Sequence, residues 1–208
     1  MKKFLYRVIV LLIFLPLYGA AQVGFNKGGY VTNVPNNSFI YRSVALQPDG
    51  KIVAVGRTDD DNGLIARFNT DGSLDQTFNG TGFITNVPNN SAYYNSVALQ
   101  PDGKIVAVGE TDDDNGLIAR FNTDGTLDTQ TFNNGTGFIT NVPNNSFDYL
   151  SVALQPDGKI VAVGQTDNND GLIARFLSNG VLDAESNWNT NNYRESANIN
   201  NISIGLLG

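Results

Sequence analysis

Three observations in the sequence predict an all-β protein built from β-propeller-like repeats, as three four-stranded blades. The first is an exact internal repeat. SVALQPDGKIVAVG stands at residues 43–56, 96–109 and 151–164 with no letter changed, at steps of 53 and 55 residues. A fixed period of this size marks a repeat architecture. The second is that each unit offers four short strand-like stretches, GFITNV, SVALQ, KIVAVG and LIARF. Four antiparallel strands in about 50 residues is the pattern of a propeller blade. The third is composition: 22 glycines, no cysteine and charged residues at 16 % suit a turn-rich β protein better than a helical one. A β-trefoil or prism-like threefold fold is the competing prediction, because three units of four strands suit it as well.

The elements follow in chain order. Lys2, Lys3 and Arg7 precede an apolar run from Val8 to Leu17, and Gly19, Ala20 and Ala21 supply small residues before Gln22. This reads as a signal peptide over 1–21. The run is short for a bilayer span, so no transmembrane segment is expected after its removal. The predicted location is secreted, periplasmic or cell-surface. Three repeats follow at about 24–76, 77–129 and 130–183, and an Asn-rich tail occupies 184–208. In the repeat, Val44 and Leu46 alternate with Ser43 and Ala45, as a half-buried strand does. Pro48-Asp49-Gly50 is turn chemistry. Ile52 to Val55 is apolar on both faces and reads as a buried strand. In LIARF, Leu64, Ala66 and Phe68 share one face. The repeat decays after Phe176, and Ile202-Ser203-Ile204 is a candidate final strand. Because the chain opens on a GFITNV-type stretch, its N-terminal strand is expected to complete the last blade. Three blades are fewer than the usual four to eight. The ring is therefore open, or closed by a homodimer into six blades, or the chain is part of a longer parent.

The unit NGTGFITNV…SVALQPDGKIVAVG…GLIARFNTDGSLDQTF resembles the delta-sixty (delta-60) repeat, a bacterial β-propeller repeat of uncharacterised function. The resemblance runs from about Gly24 to Asp183. It implies a propeller in an exported or surface-associated protein, and it brings no catalytic residues with it.

Several function classes are disfavoured. The chain has no histidine and no cysteine, which removes the usual general base, thiolate metal sites and Ser-His or Cys-His arrangements. Loss of the leader takes the net charge from −7 to −10. A surface this acidic does not suit nucleic acid. Asn-x-Ser/Thr occurs at Asn36, Asn79, Asn89, Asn134, Asn144 and Asn201 and reads as turn chemistry.

Two sets of residues are candidate sites. Acidic loops follow KIVAVG, and Asp59, Asp61, Asp112, Asp114, Asp167 and Asp170 are candidate ligands for Ca²⁺. The loops lack the glycine and glutamate spacing of an EF-hand, and Asp and Asn are ordinary turn formers. The second set is aromatic. Tyr41, Tyr94 and Tyr149 are equivalent, with Phe39, Tyr93 and Phe147 varying beside them. Rings near carboxylates can hold a sugar or peptide, and tyrosines at these positions also pack between blades. The function these residues predict is a non-catalytic binding or scaffolding module with an unknown protein or carbohydrate ligand. The alternatives are a carboxylate-based carbohydrate-active enzyme or a Ca²⁺-stabilised surface protein. Arg57, Glu110, Asp148 and Gln165 are the polar positions that break the repeat.

Overall fold

The computed structural model describes residues 25, 28–32, 39–85, 88, 92–140, 147–183 and 193–195. The signal segment, the VPNNS loops apart from Pro88, and Ile202–Ile204 lie outside the described residues.

Each repeat folds into one four-stranded antiparallel sheet. The first contains β1 (Ile40–Leu46), β2 (Ile52–Arg57), β3 (Gly63–Phe68) and β4 (Phe83–Thr85). The second contains β5 (Ala92–Leu99), β6 (Ile105–Thr111), β7 (Gly116–Phe121) and β8 (Phe138–Thr140). The third contains β9 (Phe147–Leu154), β10 (Ile160–Thr166), β11 (Gly171–Phe176) and β12 (Tyr193–Glu195). Strands pair in sequence order in every sheet, which is the meander of a propeller blade. One turn of 3-10 helix, Asn133–Gly135, sits in the linker that carries the two extra residues.

The turns form where the sequence supplies turn residues. Gly50 takes φ 83°, the Gly50 amide donates to Gln47 O at 2.9 Å, and the Lys51 amide donates to Asp49 Oδ1 at 3.1 Å. The fourth strand is only three residues long in each sheet, shorter than the GFITNV stretch. In the third sheet it comes from the tail. Leu172, Ile173 and Ala174 pair with Glu195, Arg194 and Tyr193, in the register that Leu64, Ile65 and Ala66 keep with Thr85, Ile84 and Phe83. This corrects the expectation that the N-terminal strand completes the last blade. The edge of β11 is already filled, and an edge needs only backbone donors and acceptors in register.

The sheets stack face to face, with β5 in contact with both β1 and β9. Val53, Val55, Ile65 and Ile84 of the first sheet meet Ile105, Ala107, Leu117 and Ala119 of the second. The opposite face of the second sheet, Val106, Val108, Ile118 and Ile139, meets Ile160, Ala162, Leu172 and Ala174 of the third. KIVAVG is thus apolar on both faces because a middle blade is covered on both. Each fully buried side chain of this kind contributes roughly 1.5–3 kcal/mol.

The outer ends are tied by a repeated contact. Phe78 lies against Gly125 of the second sheet, and Phe132 against Gly180 of the third. Phe25 and Val31 lie against Gly72 of the first in the same way. These glycines hold φ of 85°, 94° and 87°, so a side chain would be strained by the backbone and would strike the ring.

Beside these rings runs a buried ion cluster that recurs in every repeat. Asp75 takes the Lys51 ammonium at 2.9 Å and Arg67 Nε at 2.6 Å. Asp128 takes Lys104 and Arg120, each at 2.8 Å. Asp183 takes Lys159 at 3.4 Å and Arg175 at 2.8 Å. Arg67 and Arg120 also donate to the carbonyls of Thr123 and Ser178 in the following sheet. They stack over Phe78 and Phe132 at 4.7 and 4.5 Å from the ring centroids. Burial pushes the Asp75 carboxyl up, and hydrogen bonds from Thr77, Lys51 and Arg67 outweigh it, so its pKa lies below the usual carboxylate range. Asp128 is likewise pushed up by burial and held low by Lys104, Thr131 and Arg120. These groups are structural. They hold the strands to the linker and each sheet to the next.

Candidate functional site

Within the described strands, the positions at which all three repeats differ lie at the far end of the two inner strands, and the register makes those differences neighbours. Ile40 pairs with Arg57, Tyr93 with Glu110, and Asp148 with Gln165. Next to each pair lies a bulge. The register shifts between Tyr41 and Ser43, Tyr94 and Ser96, and across the equivalent point of β9, leaving Arg42, Asn95 and Leu150 as extra residues. A bulge re-aims the side chain it carries. It also presses the two backbones together. A Cβ on Gly56, Gly109 or Gly164 would lie 1.8, 1.8 or 1.6 Å from the carbonyl oxygen of Ile40, Tyr93 or Asp148, so only glycine fits opposite the bulge.

The variable residues meet across the sheets. Arg42 and Arg57 both lie over the Tyr93 ring, each at 5.5 Å from its centroid. Arg42 donates to Asn95 Oδ1, and Asn95 Nδ2 donates to the Tyr149 carbonyl at 3.0 Å. Arg57 pairs with Asp61. Glu110, the cross-strand partner of Tyr93, shares a hydrogen bond with Asp148 of the third sheet. Burial, that hydrogen bond and the Asp148 charge push the Glu110 pKa up to about 8 against the pull of Arg42. The Tyr93 hydroxyl is raised by burial and then by the charges of Glu110, Asp112 and Asp61, with Arg57 opposing. Arg42 is exposed, and Arg57, Tyr93, Asn95, Glu110 and Asp148 are half-buried. The result is one accessible polar strip across three blades, with two cations at one end and a carboxyl pair at the other.

The two sets of sequence-predicted residues divide here. Tyr94, Tyr149 and Phe147 are each 1 % exposed, inside the cores between sheets. Tyr94 packs beside Gly63, and Phe147 beside Gly116, of the preceding sheet. They leave no surface for a ligand, because a neighbouring blade covers them. Tyr41 has no blade on that side and is exposed. Phe39 and Tyr93 are half-buried, and Tyr93 alone of this set reaches the strip. Of the acidic set, Asp61 and Asp112 face Tyr93, and Asp114 bears on Glu110. Asp59 and Asp167 are exposed and Asp170 is half-buried, in the turns after β2 and β10. Each loop closes on itself: the Thr58 amide donates to Asn62 O at 2.8 Å, and the Asn62 amide to Thr58 Oγ1 at 3.2 Å. Among the described residues no three acidic side chains converge as a metal cradle. Sequence reading named Arg57, Glu110, Asp148 and Gln165. It missed Arg42 and Asn95, whose signal was their variability directly before an invariant SVAL.

An open groove of about 520 Å³ lies on the outer rim between β4 and the turn after β7, lined by Asn79, Thr81, Thr85, Phe121 and Leu127. It holds no charged side chain. Among the described residues no helix is long and apolar enough to cross a membrane.

Residues 47–78, 100–130 and 155–185 each match the family described as "Domain of unknown function (DUF5122) beta-propeller". No curated protein matches the chain.

Proposed function

We propose, from the premise that the chain carries three β-propeller repeats of a domain of unknown function, that it is an exported, non-catalytic binding module. The strip from Arg42 and Arg57 through Tyr93 and Asn95 to Glu110 and Asp148 is its contact surface. The carrying observation is that strand positions at which all three repeats differ are brought into contact across all three sheets. A repeat fold keeps its shape with identical units, and a site needs unlike ones. Half-buried donors and acceptors on rigid strands suit a polar ligand rich in hydroxyl or amide groups, such as a glycan or a peptide. We read the repeat as the delta-sixty repeat on its ordered motif, and the export on the basic, apolar and small-residue leader.

The same geometry weighs against a glycosidase. Its two carboxyls stand about 5 Å or more apart to admit sugar or water, whereas Glu110 and Asp148 are in direct hydrogen bond. The test is a glycan and peptide array probed with wild type and with Arg57→Ala, Glu110→Ala and Asp59→Asn. The expected result is a ligand whose affinity falls at least about 10-fold in the first two variants and is unchanged in the third. A ligand indifferent to the strip variants overturns the site. Turnover of an array sugar that Glu110→Gln abolishes overturns the non-catalytic reading.

A further inference from the structure

The two ends of the stack expose the faces that the repeat uses to hold its own blades together. In the second sheet Val97 is 7 % exposed, packed with Val53 and Val55 of the first. Leu99 packs against the same cluster. Their equivalents in the first sheet, Val44 and Leu46, are 60 % and 71 % exposed. At the other end the outgoing residues behave in the same way. Val55 and Val108 are fully buried under the next blade, and the equivalent Val163 is 37 % exposed. Leu150, the bulge residue of the third sheet, is 48 % exposed. Elsewhere the ends are finished. Phe25 and Val31 cover the outer part of the first sheet, and β12 fills the last edge of the third. Among the described residues, the large apolar side chains exposed on strands, Ile40, Tyr41, Val44, Leu46, Leu150 and Val163, all lie on the two inner strands of the end blades, and Tyr30 and Val181 are exposed in linkers.

We propose that two copies of this chain associate head to tail, the β1 face of each copy seating on the β9–β10 face of the other. The occupant is specified by the repeat itself. Val44 and Leu46 belong to the same invariant SVAL that seats Val97 and Leu99 on Val53 and Val55, and Val161 and Val163 are the same invariant residues as that seat. The interface between copies therefore repeats the interface within each copy. Two such contacts are equivalent by a twofold axis, and closure leaves neither face free. The product has six blades, inside the range in which propellers close. This inference does not depend on the ligand strip.

Light scattering on a sizing column tests it with the purified chain. Wild type is expected to run at twice the mass of one chain. Val44→Glu and Val163→Lys are each expected to run at the mass of one chain with unchanged circular dichroism, the dissociation constant rising at least about 100-fold as a charge enters an apolar seat. An equimolar mixture of the two variants is expected to recover the doubled mass, because one interface is then wild type and the other pairs glutamate with lysine. A folded wild type at the mass of one chain overturns the proposal. So does an assembly whose mass neither substitution changes, or a mixture that stays at the mass of one chain. If a variant loses its circular dichroism, amide exchange on wild type across a dilution series decides instead. Protection of β1 and β10 that falls together on dilution supports the contact, and protection independent of concentration overturns it.

Discussion

The strands β1 and β5 carry the same SVAL and stand in different surroundings. Both pair antiparallel with the next strand in identical register, and both bulge one residue after the tyrosine. Val97 is nonetheless buried and Val44 exposed. What lies within a sheet is therefore set by the unit, and what lies between sheets is set by the neighbour. Identical sequence fixes the hairpin, the bulge and the ion cluster three times over. It fixes burial only where another blade arrives.

The largest effect expected is one that this comparison says is equal in both sheets. Alanine at Gly109 or at Gly56 places a Cβ 1.8 Å from a backbone carbonyl oxygen, a clash that no rotamer relieves. Each substitution should cost about 3–5 kcal/mol in denaturant unfolding, with the two within about 1 kcal/mol of each other. A benign Gly56→Ala would mean that β1 slides free of its register for want of a preceding blade. The next effect should be unequal. Val97→Ala removes two methyl groups from a filled core and should cost about 2 kcal/mol. Val44→Ala should fall within about 0.5 kcal/mol at low protein concentration. Its cost should grow with concentration if a second copy covers the face. Equal costs at high dilution would show that burial is not what separates the two strands.

The sequence carried the fold further than it carried the site. The strands were legible because Val44/Leu46 and Leu64/Ala66/Phe68 alternate and because Pro48-Asp49-Gly50 punctuates them. The tail strand was not, since Tyr193–Glu195 shares no residue with Phe83–Thr85 and an edge strand pairs through its backbone. The Lys51–Asp75–Arg67 cluster was readable and went unread. A lysine, an arginine and an aspartate recur at fixed places in otherwise apolar surroundings, and buried charges persist only when paired. Of the aromatic candidates, Tyr94, Tyr149 and Phe147 are buried for the reason β1 and β5 differ. A tyrosine before SVAL is core when a blade precedes it and surface when none does. The polar strip was visible only as scattered differences between copies. That Glu110 meets Asp148, and Arg57 meets Tyr93, depends on the stacking of sheets, which no spacing within one repeat encodes.

The smallest effect separates the ion cluster from the strip by the sign of their pH dependence. Asp75 and Asp128 have lowered pKa values in the folded chain. Their stabilisation is complete above the unfolded carboxylate value near about 4 and is lost as pH falls through the folded values. Glu110 is raised to about 8, which has the opposite sign. Its protonated form is favoured by folding, so its contribution is complete below about 4 and decays as pH rises through the folded value. Melting temperature should therefore fall on both sides of a maximum near pH 4–5, steeply towards acid and gently towards pH 8. Glu110→Gln keeps the hydrogen bond to Asp148 and removes the second charge. It should flatten the alkaline slope, raise the melting temperature by about 2–4 °C at pH 9, and leave the acid limb unchanged. The check is a calorimetric series from pH 2 to 9 on both proteins. Parallel curves above pH 5 would mean that folding does not raise the Glu110 pKa, and Glu110 would then carry its charge in the strip at neutral pH.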